Sequence, residues 1–335
     1  MAASAPVSAE DQAFLVRLVH RGFLSRDDAG LVLEACREVD FTDALLATTD
    51  WEDAKLAYLR RTDCMERLEI PGYQVEGLLG KGATAEVFGA RRDKDFQRVA
   101  LKVLRPDLAR DKVAAKRFLA EAKLLQELEV RSVVRGHRVF RFLDTYILEM
   151  DRVGGRTLEE ELADGRLFEE QEALGIVLQV ARALEGMRAA GVVHRDLKPG
   201  NLMVDRDGVV TLIDLGFAGA GMEGTHGEGT TLGTAAYLAP EQARGESDLD
   251  GRADIYSLGA TLYHLVVGSL PFEAGDDQEM VRKQVLEGLK GSAMKARSMS
   301  PTLHFFIEKM MAKDRDVRYA DAAELIEDLE ARLPG

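Results

Sequence analysis

Residues 194–201 read His194-Arg195-Asp196-Leu197-Lys198-Pro199-Gly200-Asn201, and this run constrains the fold of the 335-residue chain more tightly than any other feature. An isolated Asp–Asn pair usually sits in a turn or at a helix cap. Here the pair belongs to eight defined positions with a lysine two residues after the aspartate, and Asp214-Leu215-Gly216 and Ala239-Pro240-Glu241 follow in that order. Upstream, Leu79-Gly80-Lys81-Gly82-Ala83-Thr84-Ala85-Glu86-Val87 places glycines between two β-forming runs, where backbone amides can fold over phosphates. It lacks the Walker spacing, and by itself it reads as a plain hairpin. Val99-Ala100-Leu101-Lys102 alone is a strand ending in a surface charge.

The organisation around these motifs is a β-rich segment followed by a helical one. From the break at Ile70-Pro71-Gly72, strands are expected at Tyr73–Leu79, Val87–Arg91 and Arg98–Leu104. A helix over about Ala114–Leu128 and two strands through Val139 and Tyr146–Met150 come next. Helices dominate from Leu158, interrupted by a hairpin over Leu202–Ile213 that turns at Asp205–Gly208. Residues 1–68 read as short helices: Ser8 precedes Asp11, and Ser25 precedes Asp28, with capping-box spacing. Phe14, Leu15, Leu18 and Val19 share a face, Gly22 closes that helix, and Val32, Leu33, Cys36 and Val39 form the next stripe. Asp40 and Thr49 are expected to cap two more helices, the second carrying Trp51, Leu56 and Leu59.

Taken in order, the motifs resemble the eukaryotic-like (Hanks-type) protein kinase family in its bacterial serine/threonine branch, over roughly Tyr73 to Leu333. The resemblance implies an α+β, bilobal kinase fold. Its small β-rich lobe would span about 73–150 and its larger helical lobe about 154–333, with ATP in the cleft, while residues 1–68 form an all-α accessory module outside the kinase domain of 73–333. That module would dock on the kinase or take a regulatory partner. Phosphoryl transfer proceeds through a loose transition state, so positioning and charge stabilisation carry most of the catalysis.

The resemblance assigns Lys102 to the α- and β-phosphates. Glu121 is the best candidate to hold it, ahead of Glu127 and Glu129. Asp196 would accept or orient the substrate hydroxyl proton, Lys198 would neutralise the transferring phosphate, and Asn201 and Asp214 would ligate Mg²⁺ or Mn²⁺. Gly80 and Gly82 would cover the phosphates. Leu79, Val87 and Ala100 would face Met203 across the adenine, whose edge would bond backbone from Asp151 to Val153, with Met150 behind it. Asp254 looks like the buried anchor of the catalytic loop, and Arg318 like the partner of Glu241. His194 would be a packing residue bonding backbone near Asp214-Leu215-Gly216. Arg195 implies activation by phosphate on the following loop, where Thr230 is favoured over Thr231 and Thr225, and Thr234 would bond Asp196 and Lys198.

Two positions depart from the pattern: Leu215 keeps an apolar plug where phenylalanine is usual, and Ala85 replaces a glycine and stiffens the loop. A pseudokinase scaffold is the alternative, but it is usually marked by loss of a residue equivalent to Lys102, Asp196 or Asp214, all present here. A small-molecule phosphotransferase is disfavoured by Arg195, the Ala239-Pro240-Glu241 motif and the long segment before it. The formal net charge of −14 repels nucleic acid and anionic membrane, so neither is an expected partner; protein substrates are. Two cysteines, Cys36 and Cys64, fit a reducing cytoplasm. His20, His137, His226, His264 and His304 show no ligand spacing, and no window reaches the roughly 18 to 20 apolar residues of a membrane helix.

Overall fold

A computed structural model describes residues 7–61, 69–215, 235–289 and 299–333. The chain divides into two compact units, Met1–Ala122 with His137–Arg152, and Lys123–Gly136 with Val153–Gly335. The division falls within one helix.

The first unit opens with α1 (Ala9–His20), α2 (Arg26–Ala35), α3 (Phe41–Thr48) and α4 (Asp53–Arg61). Ser8 Oγ and Ser25 Oγ each accept the amide three residues on at 3.0 Å, and Asp40 accepts from Thr42 and Asp43, which satisfies the free N–H groups of those helix starts. Thr49 corrects the expected capping: it ends α3, because its hydroxyl donates to the Leu45 carbonyl at 2.8 Å rather than accepting from the next helix. The second stripe is also narrower than expected. Val32 and Cys36 are buried, whereas Leu33 and Val39 are 45% and 42% exposed.

After the break at Gly72 come β1 (Tyr73–Lys81), β2 (Ala85–Arg92), β3 (Arg98–Leu104), the short α5 (Pro106–Ala109), α6 (Lys112–Glu127), β4 (Gly136–Phe142) and β5 (Thr145–Asp151). They form a five-stranded sheet in the order β1-β2-β3-β5-β4. Successive side chains alternate between faces, and antiparallel partners share one. Val99, Leu101, Val103 and Ile147 therefore meet Ile70, Tyr73 and Ala90 in an apolar core, while Val87, Ala100, Lys102, Leu148 and Met150 occupy the opposite face. Phe142 and Leu143, at the β4–β5 turn, pack into the core of the four N-terminal helices.

The second unit contains a three-stranded antiparallel sheet of β6 (Arg156–Thr157), β7 (Leu202–Val204) and β8 (Val210–Leu212). Among the described residues its helices are α7 (Leu158–Ala163), α8 (Glu170–Ala189), α9 (Pro240–Ala243), α10 (Gly251–Val267), α11 (Asp277–Leu286), α12 (Pro301–Met310) and α13 (Ala322–Arg332). The centre is α10, apolar almost all round and packed against α8 and α12. Gly259 permits that approach: a Cβ there would lie 2.7 Å from Met310 Cβ. Among the described residues, no helix is long and apolar enough to cross a membrane.

Candidate active site

In the first unit, the chemistry-bearing pair is Lys102 on β3 and Glu121 on α6. Lys102 Nζ lies 2.6 Å from Glu121 Oε1, and each residue is 7% exposed. A charge this deep is stable only with its counter-ion beside it. Glu127 and Glu129 instead make exposed pairs with Lys123 and Arg135. Val87 stands opposite Lys102, and Ala100 opposite Gly89 on one side and Met150 on the other. Leu79 reaches the same face, its Cδ2 3.3 Å from where a Cβ of Gly89 would be.

Gly80 pairs with Val87 across the β1–β2 hairpin, and the Gly82 amide donates to the Ala85 carbonyl at 2.8 Å. Ala85 is buried at the start of β2 opposite Leu104, so this position lies in the ladder rather than at the tip. Asp151 ends β5 with its carboxylate 2.7 Å from His137 Nε2.

In the second unit, the loop before β7 gathers three side chains. Lys198 Nζ lies 2.9 Å and 3.1 Å from the two carboxylate oxygens of Asp196. Asn201 donates its amide nitrogen to the Asp196 carbonyl at 2.7 Å and to Asp196 Oδ2 at 3.1 Å. These bonds leave the amide oxygen as the end of Asn201 suited to a hard cation. Asp214 is brought alongside by β8, since the preceding amide, Ile213 N, donates to the Asn201 carbonyl at 3.0 Å. Met203 lies on β7 between Thr157 and Thr211, and Val153 is half-buried ahead of β6.

The loop is held from below. Asp254 of α10, only 3% exposed, accepts the amides of His194 and Arg195 at 2.8 Å each. Arg195 has φ +67°, a left-handed conformation that costs a non-glycine residue of order 1–3 kcal/mol unless its surroundings enforce it. Those two bonds, and Gln242 Nε2 donating to the Arg195 carbonyl at 2.8 Å, enforce it here.

His194 is fully buried, and its Nδ1 accepts from the Asp196 amide at 3.2 Å; its Nε2 has no partner among the described residues, and part of the Asp214-Leu215-Gly216 backbone that it was expected to bond lies outside them. Leu215 is fully buried. Gly216, Thr225, Thr230, Thr231 and Thr234 lie outside the described residues. So does Cys64.

Three groupings were not read from the sequence. Arg105 forks Asp107 and also bonds the carbonyl of Ala83 in the β1–β2 loop. Tyr237 meets His264 at 2.7 Å. Glu149, 1% exposed, is surrounded by Tyr73, Arg92 and Arg138; burial pushes its carboxyl pKa up, but their hydrogen bonds outweigh that and hold it below the usual range. An unusual glutamate in an apolar strand was the available signal for the last.

One unit thus holds a lysine locked to a helix glutamate, and the other an aspartate flanked by lysine and asparagine. Residues 73–328 match the protein kinase domain, and the chain belongs to the protein kinase family. Its relatives place it in the bacterial serine/threonine branch. It is 36% identical over 274 residues to a probable serine/threonine-protein kinase of Streptomyces coelicolor, a match covering 78% of this chain and 40% of that one. To the serine/threonine-protein kinase PknB of Mycobacterium leprae it is 35% identical over 264 residues, 77% of this chain and 42% of the relative. To a probable PknB of Corynebacterium glutamicum it is 34% identical over 268 residues, with 77% and 41% covered. The matches thus span 40% to 42% of these relatives' lengths.

Proposed function

We propose that the chain transfers the γ-phosphoryl group of ATP to serine and threonine hydroxyls of protein substrates. The observation that carries this reading is the Asp196 carboxylate held between Lys198 and Asn201 on a loop fixed by Asp254. Asp196 then orients the attacking hydroxyl and takes its proton, while Lys198 offsets charge on the transferring group. On the first unit, Lys102 positions the phosphates under Gly80 and Gly82, and Glu121 holds Lys102. Leu79, Val87, Ala100, Asp151, Val153 and Met203 complete the proposed ATP contacts.

The family uses ATP with Mg²⁺, which neutralises phosphate charge. Asn201 and Asp214 fit it here, offering one amide oxygen and one carboxylate, a donor set typical of an ion that keeps water and phosphate ligands. Among the described residues no group of three His, Cys, Asp or Glu could hold a metal. The charged groups that a pseudokinase usually loses, Lys102, Asp196 and Asp214, are all present, with Lys102 paired to Glu121 and Asp196 to Lys198.

Activation by phosphate on the segment between Asp214 and Glu241 belongs to the same reading. Arg195 Nε is buried without a partner among the described residues, and a phosphothreonine would supply one. Thr230 remains the favoured site, ahead of Thr231 and Thr225; mass spectrometry of active protein tests it, and an unmodified loop would refute it. The main test is transfer of labelled γ-phosphate by the wild type and by Asp196→Asn. The variant should bind ATP normally and lose about 10² to 10⁴ in turnover, the usual contribution of a positioned acid–base group. Equal turnover would overturn the mechanism.

A further inference from the structure

The N-terminal helices reach the loop expected to cover the phosphates. The turn between α1 and α2 folds onto the corner after β3: Gly22, at φ +75°, lies so close to Asp107 that a Cβ there would come within 3.2 Å of Oδ1. The carbonyl of Phe23 accepts from Arg110 Nη2 at 3.5 Å, and Phe23 itself is buried. An apolar cavity of about 20 Å³, room for about one water, lies between Phe23, Val103, Pro106 and Phe142. Two more contacts hold the helices down. Lys55 pairs with Asp144 of the β4–β5 turn while its ammonium sits 4.2 Å from the centre of the Trp51 ring. The Tyr58 hydroxyl donates to the Glu69 carbonyl at 2.7 Å, and its ring meets Phe142 edge-on at 5.5 Å.

From Asp107 the contacts continue inward. Arg105 forks the carboxylate, with Nε at 3.2 Å and Nη2 at 2.9 Å. Its remaining nitrogen, Nη1, donates to the carbonyl of Ala83 at 3.2 Å, and its amide donates to the carbonyl of Thr84 at 3.0 Å. Turn, Asp107, Arg105 and phosphate loop thus form one continuous series.

We propose that Arg105 is a positioning residue for the ATP phosphates and that the docked N-terminal helices hold it in place through Asp107. This rests on the kinase reading above. Pinning the carbonyls of Ala83 and Thr84 fixes the orientation of their peptide planes, so the loop gives up less freedom when nucleotide binds. Arg105 touches no reacting atom, so its effect falls on nucleotide affinity rather than on the chemical step. The Arg105–Asp107 pair is 41% and 39% exposed, which keeps the effect modest.

The test uses the full chain: calorimetric affinity for ATP with Mg²⁺, and KM for ATP and kcat in phosphate transfer. Arg105→Ala should raise Kd and KM roughly two- to fivefold with kcat retained, the scale of one exposed ionic contact. Arg105→Lys should recover only part of this, because lysine lacks the fork. Lys55→Glu, which sets like charges against each other, should give a similar loss, and Lys55→Glu with Asp144→Lys should reverse it. Combined with Arg105→Ala, Lys55→Glu should add nothing further, since both act through one contact. Unchanged affinity in Arg105→Ala, a fall in kcat alone, or full additivity would overturn the proposal. If the wild type binds ATP but transfers no phosphate, the kinase reading fails while the affinities still decide the role of Arg105; if it binds no ATP, both fail.

Discussion

Arg318→Met should be among the most damaging single substitutions in the second unit although it lies outside the reacting groups. Arg318 and Glu241 are 4% and 2% exposed and meet fork to fork, with Nη1–Oε1 at 2.6 Å and Nη2–Oε2 at 2.8 Å. The same guanidinium donates to the Ala312 carbonyl at 2.8 Å and the Arg252 carbonyl at 2.9 Å, tying the ends of α9, α10 and α12 together. Methionine refills much of the volume but strands the buried Glu241 carboxylate and removes the guanidinium's bonds to the carbonyls of Ala312, Arg252 and Lys313. Stranding one member of a buried ion pair costs roughly 3 to 5 kcal/mol. At about 2 to 4 °C per kcal/mol for a unit of roughly 150 to 250 residues, the melting temperature should fall by about 6 to 20 °C. Differential scanning calorimetry of the full chain measures this. Glu241→Leu combined with Arg318→Met removes both charges and should cost less than the two single losses added together. A fall under about 2 °C in Arg318→Met, or simple additivity in the double variant, would refute the claim that desolvated charge, rather than packing, sets the cost.

The pair was legible in the sequence for the same reason as the catalytic loop: each residue sits in a run whose order leaves few alternatives. Asp196, Lys198 and Asn201 fall within six consecutive residues, so their meeting needs only a tight loop. Glu121 was harder. Three glutamates lie on or just after α6, and only the phase and seating of that helix bring position 121, not 127 or 129, to Lys102. Thr49 was misread because one hydroxyl serves equally to accept an amide ahead or to donate to a carbonyl four residues behind, and local sequence does not separate these options. Tyr73, Arg92, Arg138 and Glu149 come from four strands, and only strand pairing unites them, so nothing local announces the cluster. The docking of residues 7–60 was hidden in the same way. Phe142 and Leu143 look like ordinary strand and turn residues until the helices that cover them are placed.

Lys102→Met should suppress phosphate transfer by about 10²-fold or more, the scale of losing one preorganised charge, and should also destabilise the first unit by stranding Glu121. Adding Glu121→Gln should restore thermal stability but not transfer; recovery of both would move the phosphate contact to another lysine. Gly155→Ala should cost roughly 2 to 4 kcal/mol, because φ is +106° and the new Cβ would lie 2.0 Å from the Val204 carbonyl oxygen, an overlap only backbone movement can relieve. A melting temperature unchanged within error would show that β6 and β7 are not held at this separation.

The last expectation concerns pH. His264, in the final turn of α10, has its pKa lowered by burial, although a helix C-terminus favours a cation. The Tyr237 phenol, kept protonated by burial and by the nearby charge of Glu159, can donate to His264 Nδ1 only while the imidazole is neutral. Between the folded pKa and the ordinary value near 6.5, the unfolded chain therefore binds more protons than the folded one. Stability rises with pH through that window, is complete above it, and is lost as pH falls. His264→Gln keeps an acceptor for Tyr237 but cannot titrate, so urea unfolding at pH 7 and pH 5 should show the wild type losing more stability than the variant. The other histidines are common to both proteins and cancel in the difference. Parallel losses would mean that protonated His264 is accommodated without disturbing Tyr237.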